Sequence, residues 1–180
     1  PPFFNDQTTR SPGAKYWIPS MDEWMKSVYY DPNKNGPGQG GWWEQPNGSD
    51  TILISDLPEN GGQTNAGLFE YLFDGGSPLA AGSYPDVQTP WGLLDASGGV
   101  SEFTEEWWWP DYRRDRVPRG SDYFDDFVYG SADWIVSRGK SFPPDSSWGL
   151  GIRIASVVPS PSTAAVGIMS FIMFYNRRRR

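Results

Sequence analysis

Apolar positions along the chain fall into a few short patterns separated by long polar and glycine-rich stretches. Met21, Trp24, Met25 and Val28 recur at helical spacing, which predicts one buried helical face. They follow Ser20-Met21-Asp22-Glu23, a capping box in which Ser20 accepts from the first turn and Glu23 reaches back. A helix therefore starts there and ends soon after Tyr30, ahead of Pro32. Val100 to Trp109 is rich in strand-forming and aromatic residues and predicts an extended strand. Shorter runs at Thr51–Ser55, Trp134–Ser141 and Trp148–Ala155 predict further strands. Residues 1–15, 36–50 and 60–76 carry Gly, Pro, Asn and polar residues without periodicity and read as loops, the last around Leu68 to Phe73. From Asp111 to Asp133 charged and aromatic residues take turns, with Arg113, Arg114, Arg116 and Arg119 followed by Asp122, Asp125 and Asp126. A solvated, partly self-paired insertion is expected there.

At 180 residues with 16% aromatics, the chain is long enough for one domain with a substantial core. Its net charge of -7 includes four terminal arginines, so the remaining body is more acidic than the total. Such a body is a poor partner for nucleic acid. There is no cysteine, hence no disulfide, thiolate nucleophile or thiolate metal site. There is no histidine, which removes the usual general base near neutral pH and the commonest transition-metal ligand. The chain opens on Pro1 rather than methionine, and an amino-terminal export signal is expected to lie outside it.

Candidate chemistry rests on oxygen ligands and aromatic faces. Asp95 and Glu102 flank a Ser97-Gly98-Gly99 turn. A hard cation such as calcium takes about six to eight oxygens, and a glycine turn between two acids can present carboxylates and carbonyls together. A hairpin turn with two solvated acids is the commoner meaning of such spacing. Asp31 to Gly36 imitates the opening of an EF-hand calcium loop, but Trp42 stands where a bidentate glutamate is required and Pro32 interrupts it, so a turn is expected. Trp42 and Trp43, set on the glycine loop, can stack on sugar rings or plug the core. Glu105-Glu106 and Asp125-Asp126 are adjacent acids, but neighbours on a strand point to opposite faces and fix no acid/base pair.

Four ordered segments resemble one family. GLLDASGGVSEFTEEW resembles the "GLYDMxGNVWEW" signature of the formylglycine-generating, sulfatase-modifying-factor domain, and YWIPSMDEWMKSVYYDP resembles its "RLPTEAEWEKAA". VSRGKSF is similar to "RVLRGGSW", and PDSSWGLGIRIAS to the closing "PDSxxxxxGFRxA". The resemblance implies an irregular mixed α+β fold of C-type-lectin-like kind over residues 1–156, with the family's first strand upstream. It implies a calcium site at Asp95, Gly98, Val100 and Glu102, and another at Asn65, Ala66, Asp74 and Gly76, where the spacing is shorter than the family's. The family's "GN" is Gly98-Gly99 here and its "WEW" is Ser101-Glu102-Phe103. Family enzymes carry, between "GGS" and "PDS", the segment with their copper-binding catalytic cysteines. Here Ser141 is followed by Phe142-Pro143 and at once by Pro144-Asp145-Ser146-Ser147, so neither copper nor iron is expected. The chain is read as non-catalytic; the alternative is an enzyme of the same family, a formylglycine-generating enzyme or a histidine-ligated iron oxidoreductase.

Residues 157–180 form a separate unit: Pro159-Ser160-Pro161, an apolar run from Ala164 to Tyr175, then Arg177, Arg178, Arg179 and Arg180. Counted from Val157 the run approaches the roughly 20 residues of a bilayer span, and terminal arginines favour a cytoplasmic end. This tail resembles the PEP-CTERM sorting signal of exported bacterial proteins, which implies an exosortase-type sorting enzyme as partner and at least transient membrane anchoring. The sequence thus predicts an exported bacterial envelope or matrix protein, a calcium-stabilised binding or structural module with extracellular polysaccharide as a candidate ligand.

Overall fold

The computed structural model describes residues 9–68, 79–109, 112–124, 133–137 and 149–157. In chain order its elements are β1 (Tyr16–Trp17), α1 (Met21–Tyr29), β2 (Tyr30–Asp31), β3 (Gly41–Trp42), a 3-10 turn (Pro58–Asn60), β4 (Ser101–Trp109), β5 (Tyr112–Arg119), β6 (Leu150–Ile152) and β7 (Ala155–Ser156). Among the described residues this is an irregular α+β fold.

Helix α1 begins as its capping box requires. Ser20 Oγ accepts from the Glu23 amide at 3.2 Å, and the Ser20 amide donates to Glu23 Oε2 at 3.0 Å. Tyr30 leaves in an extended conformation, and Pro32 forbids a longer helix. The helix buries Trp24, Val28 and Tyr29, which cluster with Ala96 and with the partly buried Met25 and Ile135. Trp24 and Tyr29 meet edge to face with centroids 5.8 Å apart.

Strand β4 is the centre of a three-stranded sheet ordered β5-β4-β6, antiparallel to β5 and parallel to β6. Its amide at Glu105 donates to Pro19 O at 3.0 Å, which fixes the strand beside the entry to α1. β5 is an edge strand, the position at which Pro118, lacking an amide hydrogen, is tolerated. β1 pairs with β7 through Tyr16 and Ser156, and through Trp17 and Ala155.

The structure corrects several strand expectations. The arginine-rich stretch after Asp111 supplies β5 instead of a solvated insertion: Val117 and Arg119 are buried, and the Arg116 guanidinium lies 4.4 Å from the Trp107 ring. Thr51–Ser55 forms no strand, because Ile54 O accepts from both Gln63 and Thr64 amides and the pairing stops at a single bridge from Ser55 to Thr64. Asp133–Ser137 is turn rather than the start of a strand, and residues 138–148 lie outside the described residues. The strand expected over 148–155 is broken into β6 and β7 at Arg153-Ile154. Asp31 to Gly36 forms the expected turn, with Asp31 Oδ1 accepting from the Asn33 amide at 2.7 Å. The sorting-tail residues Pro159, Pro161 and Arg177–Arg180 lie outside the described residues, as do Asp74 and Gly76. Among the described residues no helix is long and apolar enough to cross a membrane.

Candidate functional site

The segment from Asp95 to Val100 bends through backbone conformations that few residues accept. Asp95 sits at φ 56°, the left-handed region that a short polar side chain tolerates. Gly98 follows at φ 72°, and a Cβ there would fall 2.2 Å from Asn65 Oδ1 and 2.7 Å from Thr64 Oγ1. Glycine is therefore required at Gly98 both by conformation and by space.

A buried polar cage holds the turn from behind. The Gly98 amide donates to Ser121 Oγ at 2.7 Å and the Gly99 amide to Asn65 Oδ1 at 2.6 Å. The Ser97 hydroxyl lies between Thr64 Oγ1, at 2.8 Å, and the carboxylate of Asp133, which is fully buried. Asp133 Oδ1 accepts in turn from the Ser121 amide at 3.0 Å, while its carbonyl accepts from Tyr29 OH at 2.9 Å. Buried polar groups persist only when paired, and here they pair with one another. Thr64, Ser121 and Asp133 carry no local motif in the sequence, and Thr64 lies 57 residues before Ser121 and 69 before Asp133.

Glu102, at the start of β4, has both carboxylate oxygens engaged. Oε2 accepts from Trp24 Nε1 at 2.7 Å and from Arg153 Nε at 2.8 Å, and Oε1 accepts from Arg153 Nη2 at 2.7 Å. The same Nη2 lies 3.1 Å from Leu94 O and 3.2 Å from Asp95 O. Arg153 thus ties the break between β6 and β7 to the turn by a two-pronged, charge-assisted bond. Asp95 points its Oδ2 at the Gly82 amide, 2.8 Å away.

In front of the turn lies a cleft of about 500 Å³, within the size range of small-ligand sites. Leu94, Val100, Ile152 and Ile154 supply apolar walls; Asn65, Asp95 and Arg153 supply polar groups. Since the Gly99 amide must meet an oxygen, Asn65 presents Oδ1 to the turn, and its Nδ2 has no partner among the described residues. Arg153 Nη1 and Asp95 Oδ1 likewise have none there. Tyr84, another wall residue, donates its hydroxyl to Asp56 O at 2.8 Å. Burial, with the Asp56 and Glu59 charges, pushes this phenol up to about 12, so it remains a neutral donor.

The expected calcium ligands distribute unevenly. Asp95, Gly98, Val100 and Glu102 all line this one cleft, together with Asn65 from the second expected set. Ala66 is fully buried and its carbonyl accepts from the Ser55 hydroxyl. Glu102 is bonded to Arg153 and Trp24, and Asp95 gives one oxygen to the Gly82 amide. Among the described residues no group of three or more acidic side chains stands together to hold a metal ion. The two loop tryptophans also part. Trp42 is 47% exposed, edge-on to Tyr30 at 5.2 Å. Trp43 is half-buried, its Nε1 donating to Asp31 Oδ2 at 3.2 Å and its ring lying 4.1 Å from the Lys34 ammonium.

The fold is similar to that of two solved proteins. A crystal structure of CarF matches with a TM-score of 0.53 and 18% identity over 83% of this chain and 50% of CarF. Variable protein 1 of Treponema denticola matches with a TM-score of 0.54 and 17% identity over 78% of this chain and 47% of its own. The chain therefore spans about half the length of the structures it matches, and at these identities the likeness concerns the fold alone. No protein-family profile matches the chain, and no curated protein is similar to it in sequence.

Proposed function

We propose that the chain is a non-catalytic binding module, a degenerate sulfatase-modifying-factor domain of C-type-lectin-like fold, and that its ligand is a saccharide unit of an extracellular polysaccharide held in the cleft beside Gly98-Gly99. The observation that carries this reading is the hydrogen-bonding capacity left, among the described residues, at Asn65 Nδ2, Arg153 Nη1 and Asp95 Oδ1, set between apolar walls. Sugar hydroxyls both donate and accept, which suits two donors and one acceptor, while the C–H face of the ring packs against Leu94, Ile152 and Ile154. Exposed Trp42 offers a second stacking face outside the cleft. The enzymatic reading needs cysteine or histidine ligands, and the chain has neither.

The apolar run and terminal arginines support an exported protein brought to the membrane by its tail and handled by an exosortase-type sorting enzyme. The acidic body supports no nucleic-acid partner.

The test is calorimetric titration of neutral oligosaccharides into the purified full chain in detergent. Saturable binding is expected, weakened at least about tenfold, roughly 1.4 kcal/mol, by Asn65→Asp. That variant keeps the oxygen that accepts from Gly99 and replaces the donor by a carboxylate oxygen, which adds a negative charge beside Asp95. No binding across neutral, amino and acidic sugars would end this reading.

A further inference from the structure

We infer that Arg153 is the resident cation of the Asp95–Glu102 turn, so that the chain holds this loop without calcium. The inference stands whether or not the cleft takes a saccharide. A cation at such a turn has one structural task, to gather a carboxylate and neighbouring carbonyl oxygens that would otherwise repel one another. The Arg153 guanidinium performs it. Its Nε and Nη2 reach both oxygens of Glu102 at 2.8 and 2.7 Å, and Nη2 also approaches the carbonyls of Leu94 and Asp95 at 3.1 and 3.2 Å.

The remaining geometry closes the space to a metal ion. Trp24 Nε1 takes a further position on Glu102 Oε2, on the side facing the core. Asp95, turned by its positive φ, sends its carboxylate to the Gly82 amide. For calcium to reach Glu102 it would have to break a two-pronged ion pair whose side chains are 9% and 24% exposed, and then sit beside the displaced guanidinium. Like charges at that distance repel strongly where water screens poorly. A guanidinium is also suited to the task by shape, because its planar fork matches the two carboxylate oxygens and stays charged at any pH the protein meets. Unlike calcium, it cannot be removed by a chelator. Its place at the junction of β6 and β7 couples the closing strands to the turn.

Thermal unfolding of the full chain in detergent, with about 1 mM calcium or with chelator, tests this at the concentration where extracellular calcium modules fill. The wild-type midpoint should be the same in both. Arg153→Gln should unfold at lower temperature and regain part of the loss on adding calcium, since Glu102 is then left without a cation. Arg153→Lys, which keeps the charge but loses the fork, should fall between and ignore calcium. Should Arg153→Gln fail to fold, calorimetric titration of calcium into the wild type replaces it, with no binding heat expected. A wild-type midpoint raised by calcium, or calcium binding lost in Glu102→Gln, would overturn the inference. So would an Arg153→Gln midpoint equal to that of the wild type.

Discussion

Two ion pairs of similar length hold two loops of this protein, and they differ in almost everything else. Lys34 and Asp50 meet at 3.0 Å with the Asp50 side chain 48% exposed, whereas Arg153 and Glu102 meet at 2.7 Å with the Glu102 side chain 9% exposed. Lys34 adds a bond to Trp42 O at 2.7 Å and lies over Trp43, so its ammonium stiffens the β2–β3 hairpin under the exposed Trp42 ring. Arg153 instead joins a strand break, two backbone carbonyls and a core-facing carboxylate. Water screens the first pair and reaches the second poorly, so distance alone says little about consequence. What matters is what each charge would face if its partner were removed.

The largest effect follows from that. Glu102→Ala leaves the Arg153 guanidinium without its carboxylate, with only the Leu94 and Asp95 carbonyls to face, and the Trp24 indole N–H without its acceptor in a partly buried site; it should destabilise the fold by about 3 kcal/mol, measured by denaturant unfolding. A loss near zero would place Glu102 among the exposed acids. Next comes a pair of glycines beside it. Gly98→Ala sets a methyl 2.2 Å from Asn65 Oδ1, while Gly99→Ala, at φ 69°, meets nothing within 4 Å. Gly99→Ala should cost only the left-handed backbone penalty of about 1–2 kcal/mol, and Gly98→Ala clearly more. Equal losses would mean that the Asn65 and Thr64 cage yields easily.

How far these contrasts could be read beforehand varies with the range of the interaction. Helix α1 was legible because its capping box and apolar stripe are local, and β4 because Val100 to Trp109 has strand composition throughout. β5 was not, since its arginines look solvated until Trp107 and Trp24 supply faces for Arg116 and Arg119. The turn residues Asp95, Gly98, Val100 and Glu102 were found as a group and do share one cleft. Arg153, 51 residues from Glu102, had only its place in the closing motif to mark it, and nothing local told which carboxylate it meets. Trp42 and Trp43 read alike as neighbours; a strand pairing sent one outward and an Asp31 bond drew the other in.

The smallest effect belongs to the surface pair. Lys34→Ala should leave the unfolding midpoint nearly unchanged at neutral pH, with loosening confined to the Trp42 loop and visible as faster amide exchange there. Its pH dependence has a definite sign. The Glu44 amide and then the Lys34 ammonium hold the Asp50 carboxyl below its ordinary value of 3.8. The small stabilisation from Asp50 is therefore present above that value and lost as pH falls through the lower folded value. An acid titration of the wild type and of Asp50→Asn checks it, the two curves being expected to converge only at the acid end.

Glu102 and Arg153 act as one unit, and a double-mutant cycle measures that directly. Unfolding free energies of Glu102→Gln, Arg153→Gln and the double variant should give a coupling at the upper end of the usual range, about 2–3 kcal/mol. The same cycle on Lys34 and Asp50 should give a far smaller coupling. Additive losses at Glu102 and Arg153 would contradict the account.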